Sequence, residues 1–184
     1  MGIISRFFKK PAENSSRDIE IDLEKDNNSQ PEEVKAYVKG GNIAYHPELI
    51  NELKHEHRDL VEIFTNLVKT SETKDKQKIR NLLDSFKKNL VSHILKENVQ
   101  FYVYVKYLLA DDPVNGDLAK IMQQEMNDIG KTVLNFIAKS MEDSAVFDSE
   151  FQAELNQIGS VLTERIKIEE EKLYVLYMHP DSFK

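Results

Sequence analysis

The 184-residue chain has no cysteine and no tryptophan. Without thiols there is no disulfide scaffold, no thiolate metal site and no cysteine nucleophile, and a reducing cytoplasm is the expected compartment. Positive charge is also short. Lys+Arg 25 against Asp+Glu 32 leaves a formal charge of −7, the wrong sign for direct nucleic-acid binding. The six glycines are too sparse for a phosphate-cradling loop. No apolar run approaches the ~20 residues that span a bilayer, and no signal-peptide pattern is present. Five histidines remain as candidate ligands, and their positions matter more than their number.

The first ten residues, MGIISRFFKK, place Ile3, Ile4, Phe7 and Phe8 on one helical face, flanked by Arg6, Lys9 and Lys10. That pattern suits a short anchor to a membrane or a partner. It equally suits a frayed terminus, since helices below ~12 residues are marginal in water. Arg6 stands where a myristoylation motif needs Ser or Thr. From Pro11 to Glu33 the chain is polar and acidic and lacks the apolar content to offset ordering entropy, so a disordered tether is expected. Pro31 is expected to start a short helix through Val38, stopped by Gly40 and Gly41. The expected organisation is an amphipathic segment 1–10, an acidic flexible linker 11–45, a bundle 46–178 and a tail 179–184.

Four long helical patterns fill the bundle, over about Pro47–Lys69, Asp75–Ala110, Asp117–Ser140 and Ser149–Met178, with DDPVNG read as the turn after the second. Strand signals are absent and the connections are short. The expected fold is all-α, an antiparallel up-down-up-down four-helix bundle.

Reading each helix at 3-4 spacing marks its inward face. The first gives His46, Ile50, Leu53, His57, Leu60, Phe64 and Leu67, with His57 at mid-stripe where leucine would be ordinary. His46 lies at the bundle end, where a helix-start role is expected, and His55 falls on the opposite face. The second gives Leu83, Phe86, Leu90, His93, Glu97, Phe101 and Tyr104. His93 and Glu97, at i and i+4, point at one spot. Burying either unpaired costs several kcal/mol, so a metal ion or a mutual hydrogen bond must compensate them. The fourth gives Leu155, Ile158, Leu162, Arg165, Glu169, Leu173 and Leu176. The segments LVSHILKENVQFYVYV and LTERIKIEEEKLYVLY match in register, with Arg165 in the place of His93 and Glu169 in that of Glu97. The third helix is nearly all apolar (Met122, Met126, Ile129, Val133, Phe136), with Glu125 at its edge and Gly130 expected to permit close packing.

EHRDL around His57 and HILKE from His93 to Glu97 resemble the hemerythrin-like (HHE cation-binding) proteins, over about His46–Met178. The resemblance implies a four-helix bundle around a non-haem iron pair that binds dioxygen or serves oxygen, iron or redox sensing. It assigns His57, His93, Glu97 and Glu169 as metal ligands. Two positions depart from the family pattern. Met126 and Gly130 stand where the third helix should offer histidine, and Arg165 where the fourth should. Thioether suits hard iron poorly and guanidinium cannot ligate at all. Arg165 would instead neutralise Glu97 and Glu169, or a single ion would bind the four remaining donors. The last helix, with Ile158, Gly159, Arg165 and Glu169, also resembles the Rsd/AlgQ proteins, which sequester the housekeeping sigma factor of RNA polymerase.

The resulting expectation is a non-enzymatic hemerythrin-like protein of bacterial type, acting in sensing or regulation, whose incomplete site binds iron or zinc weakly or not at all. The alternatives are an Rsd/AlgQ-type regulator that binds the sigma factor, and an iron- or oxygen-binding hemerythrin. The acidic charge suits a basic protein partner, and residues 1–10 would dock to a membrane or that partner. Glu52-x-x-His55 has the spacing of a ferritin-like di-iron enzyme, but it occurs once and its histidine faces outward.

Overall fold

The computed structural model describes residues 36–73 and 75–182. Four helical arms follow one another in the expected order. They are α1 (Leu49–Ser71); α2 (Lys76–Lys96) continuing through a π turn at Glu97–Phe101 into α3 (Tyr102–Leu108); α4 (Pro113–Ser140); and α5 (Ser149–Ile168). The last arm also passes through a π turn, at Glu169–Leu173, before a 3₁₀ turn at Tyr174–Leu176. α1 packs against α2 and α5, and α4 against α2 and α3. No described helix is long and apolar enough to cross a membrane.

Three of the helix starts are set by aspartate. Asp75, Asp112 and Asp148 accept backbone N–H groups of their first turns through their side chains, satisfying donors that a helix leaves unpaired. Asp112 corrects the reading of DDPVNG as a turn alone. Its second aspartate caps α4 and Pro113 opens it, so the helix begins four residues earlier than expected. His46 does not cap α1. Glu48 occupies that position and makes no side-chain cap bond, while the His46 N–H donates to the Tyr177 hydroxyl at 3.0 Å.

The start of the ordered packing also differs from expectation. Residues 36–38 are not helical. Tyr37 pairs with Ala44 across a tight turn in which Gly40 takes φ 77°. Val38 is buried, and Ile43 and Tyr45 lie against the same apolar cluster. The expected linker 11–45 therefore ends in a segment that belongs to the core. The anchor residues Ile3, Ile4, Phe7 and Phe8 lie outside the described residues.

The core is divided along the bundle axis. One apolar cluster gathers Leu49, Leu53, Phe101, Tyr104, Met122, Leu173 and their neighbours, and a second gathers Leu60, Leu83, Leu90, Met126, Val133 and Ile158 with theirs. His57 falls between Leu53 and Leu60, the His93–Glu97 pair between Leu90 and Phe101, and the Arg165–Glu169 pair between Ile158 and Leu173. A single polar layer thus separates two apolar half-cores. All five of its members are buried.

Candidate metal centre

The two imidazoles of this layer meet edge on. His57 Nε2 lies 3.1 Å from His93 Nε2. The opposite nitrogens are both held by carboxylates: His57 Nδ1 donates to Glu170 Oε1 at 2.9 Å, and His93 Nδ1 donates to Glu56 Oε2 at 3.0 Å. A carboxylate only accepts, so these bonds fix both Nδ1 atoms as N–H. In the neutral rings both Nε2 atoms then carry lone pairs, aimed at each other across 3.1 Å. Two acceptors at that distance repel unless something positive stands between or beside them.

Carboxylate oxygens surround the same point. Glu169 Oε2 lies 3.3 Å from His57 Nε2, and Glu97 Oε2 lies 3.9 Å from His93 Nε2. His57, His93 and Glu169 each offer a ligand atom, all within 4.8 Å of one another. Glu97 Oε2 is buried and has no hydrogen-bond partner. Its other oxygen accepts from the Tyr174 hydroxyl at 2.7 Å. The two glutamates carry charge unequally. Burial, with the neighbouring Glu169 charge, pushes Glu97 well above the usual carboxylate range. Burial pushes Glu169 up as well, but a hydrogen bond from His57 when that ring carries protons on both nitrogens, together with the Arg165 charge, outweighs it and holds that carboxyl below its ordinary value.

Arg165 has a set of partners of its own. Its Nε donates to Glu169 Oε1 at 2.6 Å, and one Nη donates to the Met122 carbonyl at 2.6 Å. Tyr102 and Glu125 are more distant partners, each at 3.4 Å. Glu125 itself is mostly exposed and does not reach the imidazoles. Met126 borders the layer as an apolar wall, and Gly130 lies a turn further along α4, where a Cβ would meet Ile94 Cδ1 at 2.8 Å.

A model of the hemerythrin HHE cation-binding domain matches residues 48–177. The chain belongs to that family. No curated protein and no solved structure gives a significant match. Within this hemerythrin-like bundle, the donor set fits one metal ion. Two nitrogens bound to one ion at roughly 2.1 Å each lie roughly 3 to 3.4 Å apart, and the two Nε2 atoms are 3.1 Å apart. The orphaned Glu97 oxygen and the two carboxylate-backed rings are what an ion in this position requires of its ligands and of the groups behind them. For a second ion the fit fails. Arg165 stands on the far side of Glu169 with its guanidinium already bonded there, and α4 brings Met126 to the layer while its Glu125 and Met122 carbonyl are taken by Arg165.

Four residues of the centre escape the 3-4 stripes. Tyr102 and Tyr174 each sit five residues after a core glutamate, and an α-helix would turn them well away from it. In both arms the glutamate carbonyl accepts from the N–H five residues on, closing a π turn instead. The extra residue swings the tyrosine back to the glutamate's side. Both echoing segments carry this turn at the same step, which is the signal the sequence did hold. Glu56 and Glu170 are flank residues, each next to an inward residue, and reach the rings from the side. The His55 of Glu52-x-x-His55 is exposed and pairs with Arg58 and Asp59, while Glu52 pairs with Lys96. That motif takes no part in the centre.

Beside the imidazoles lies a cavity of about 90 Å³, bordered by His57, His93 and Glu169 on one side and by Leu60, Phe64, Phe86, Leu90 and Leu162 on the other. A space of this volume admits only a small molecule.

Proposed function

We propose that this chain is a non-enzymatic hemerythrin-like regulator whose core binds a single metal ion, through His57, His93, Glu169 and Glu97, with Arg165 in the place of a second. The observation that carries the reading is the pair of Nε2 atoms 3.1 Å apart, with both Nδ1 atoms held by carboxylates, beside an unpartnered carboxylate oxygen. A bound dication would supply positive charge there and, if it is iron, a site for redox or small-ligand chemistry. Nitrogen and carboxylate donors suit iron or zinc. The 90 Å³ cavity supports a sensing role over catalysis, because so small a space beside the buried centre has no room for an organic substrate.

Reconstitution of the purified chain with Fe(II) or Zn(II) without oxygen, followed by elemental analysis, tests the stoichiometry. About one equivalent per chain, lost in His93→Ala, is expected. Two equivalents would overturn the role given to Arg165, and none would overturn metal binding altogether.

A metal-free regulator of the sigma-sequestering kind is the competing reading. The observation on its side is the 2.6 Å Arg165–Glu169 pair, which neutralises one core carboxylate without any ion. Under either reading the output is a protein partner with a basic surface, complementary to the −7 charge, and residues 1–10 contribute to docking. Titration with purified housekeeping sigma factor at physiological salt separates the two. Tight binding by metal-depleted protein and by His93→Ala alike favours the metal-free regulator.

A further inference from the structure

The two imidazoles are backed by carboxylates in different circumstances. Glu56, behind His93, is tied down: its second oxygen lies 2.5 Å from Lys96 Nζ, and that ammonium also reaches Glu52 at 3.1 Å. A cation approaching His93 from this side meets a fixed positive charge at contact distance. Glu170, behind His57, has no lysine partner among the described residues and keeps a third of its side chain exposed. It lies at the edge of a surface recess of about 300 Å³ between α1 and α5, lined by His57, Arg58, Val61, Glu62, Ile166 and Glu170. Arg58 is the one basic side chain of that recess, and its guanidinium is 3.2 Å from His55 on the outward face of α1. From solvent inward the recess therefore presents Glu62, then Glu170, then the buried His57 ring, which itself touches Glu169 at 3.3 Å.

We propose that a divalent cation enters the centre through this α1–α5 recess, with Glu62 and Glu170 as its first protein partners on the way past the edge of the His57 ring to its inward Nε2, while Lys96 closes the Glu56 side. The proposal rests on the single-ion reading of the centre. A hydrated dication sheds water one ligand at a time, and exposed carboxylates lower the barrier by replacing water and by concentrating cations at the mouth. A group that acts only on passage changes the rates of entry and exit together and leaves the affinity unaltered. Glu62 meets that condition, because it borders the recess without touching the centre. Lys96 acts on the other face.

Stopped-flow uptake of Co(II) by the full chain, followed by the absorbance of bound cobalt, gives both rates. Glu62→Gln is expected to slow entry and exit by a common factor, roughly three- to tenfold, with unchanged affinity. Glu142→Gln, two residues past the end of α4, removes the same charge away from the recess and is expected to leave the rates near those of the parent. Lys96→Gln is expected to speed entry by opening the second side, and in the double variant with Glu62→Gln to restore much of the lost rate. Equal rates for Glu62→Gln and Glu142→Gln would overturn the route while leaving the single-ion reading intact, as would slower entry in Lys96→Gln. No cobalt uptake by the unmutated chain would overturn both.

Discussion

At the scale of single residues, the centre depends on groups that never touch its middle. Glu56 and Glu170 fix the tautomers of His93 and His57, and so decide that lone pairs and not N–H groups point inward. Removing either carboxylate frees a ring to rotate and to change tautomer. Glu56→Ala and Glu170→Ala are each expected to weaken metal binding about 10- to 100-fold, measured by competition with a chromophoric chelator. The Gln variants should lose less, because the amide oxygen still accepts from Nδ1. The buried carboxylates also set opposing pH trends in the metal-free chain. Glu169 and Glu56 titrate below their ordinary value of 4.5, so their stabilisation is complete above that value and is lost as pH falls through their depressed ones. For Glu56 the hydrogen bond from His93 is the chief cause. Glu97 titrates above 4.5, chiefly because burial disfavours its charge. The metal-free fold therefore loses stability as pH rises from 4.5 toward the raised value of Glu97. Thermal melts across the acid and neutral range should show both limbs, and Glu97→Gln should abolish the upper one alone.

At the scale of the helices, periodicity made part of the centre legible and hid the rest. His57, His93, Glu97, Arg165 and Glu169 occupy stripe positions where apolar residues are ordinary, and a polar residue on a regular stripe is easy to see. Tyr102 and Tyr174 were hidden because each follows a π turn, which breaks the very period used to find inward positions. Glu56 and Glu170 were hidden because long side chains reach the rings from the flank, and spacing along a helix does not encode reach. The fold itself was legible nearly throughout, since long amphipathic patterns and short loops leave few arrangements open. The start of α4 and the segment 36–45 differ from the sequence expectation because local turn signals compete there with capping and with burial of Val38.

Two glycines separate helix packing from ring packing. A Cβ on Gly130 would meet only the Cδ1 end of Ile94, at 2.8 Å, and that methyl can swing aside. A Cβ on Gly159 would meet the Phe64 ring at 2.6 Å, and that ring is already packed edge-on against Phe86. Gly159→Ala is expected to destabilise by about 1–3 kcal/mol and Gly130→Ala by less, compared by chemical denaturation. Because Phe64 also borders the 90 Å³ cavity, the first variant should alter small-molecule access as well.

At the scale of the whole molecule, the polar layer divides the apolar core of the described residues along the bundle axis. Above and below it, each half of the bundle holds a cluster that is complete in itself. A core divided in this way has two places to come apart. Opening one half strands only one side of the layer, so the halves need not unfold together. Native-state hydrogen exchange on the metal-free chain is expected to resolve two cooperative units. One would contain the N-terminal part of α1 with α3, and the other the C-terminal part of α1 with the start of α2. A bound ion spans ligands from α1, α2 and the last arm, and should merge the two units into one. On this account the metal acts as a rivet. The ion's presence would be felt as a change in how much of the bundle breathes at once, at distances the first ligands never reach.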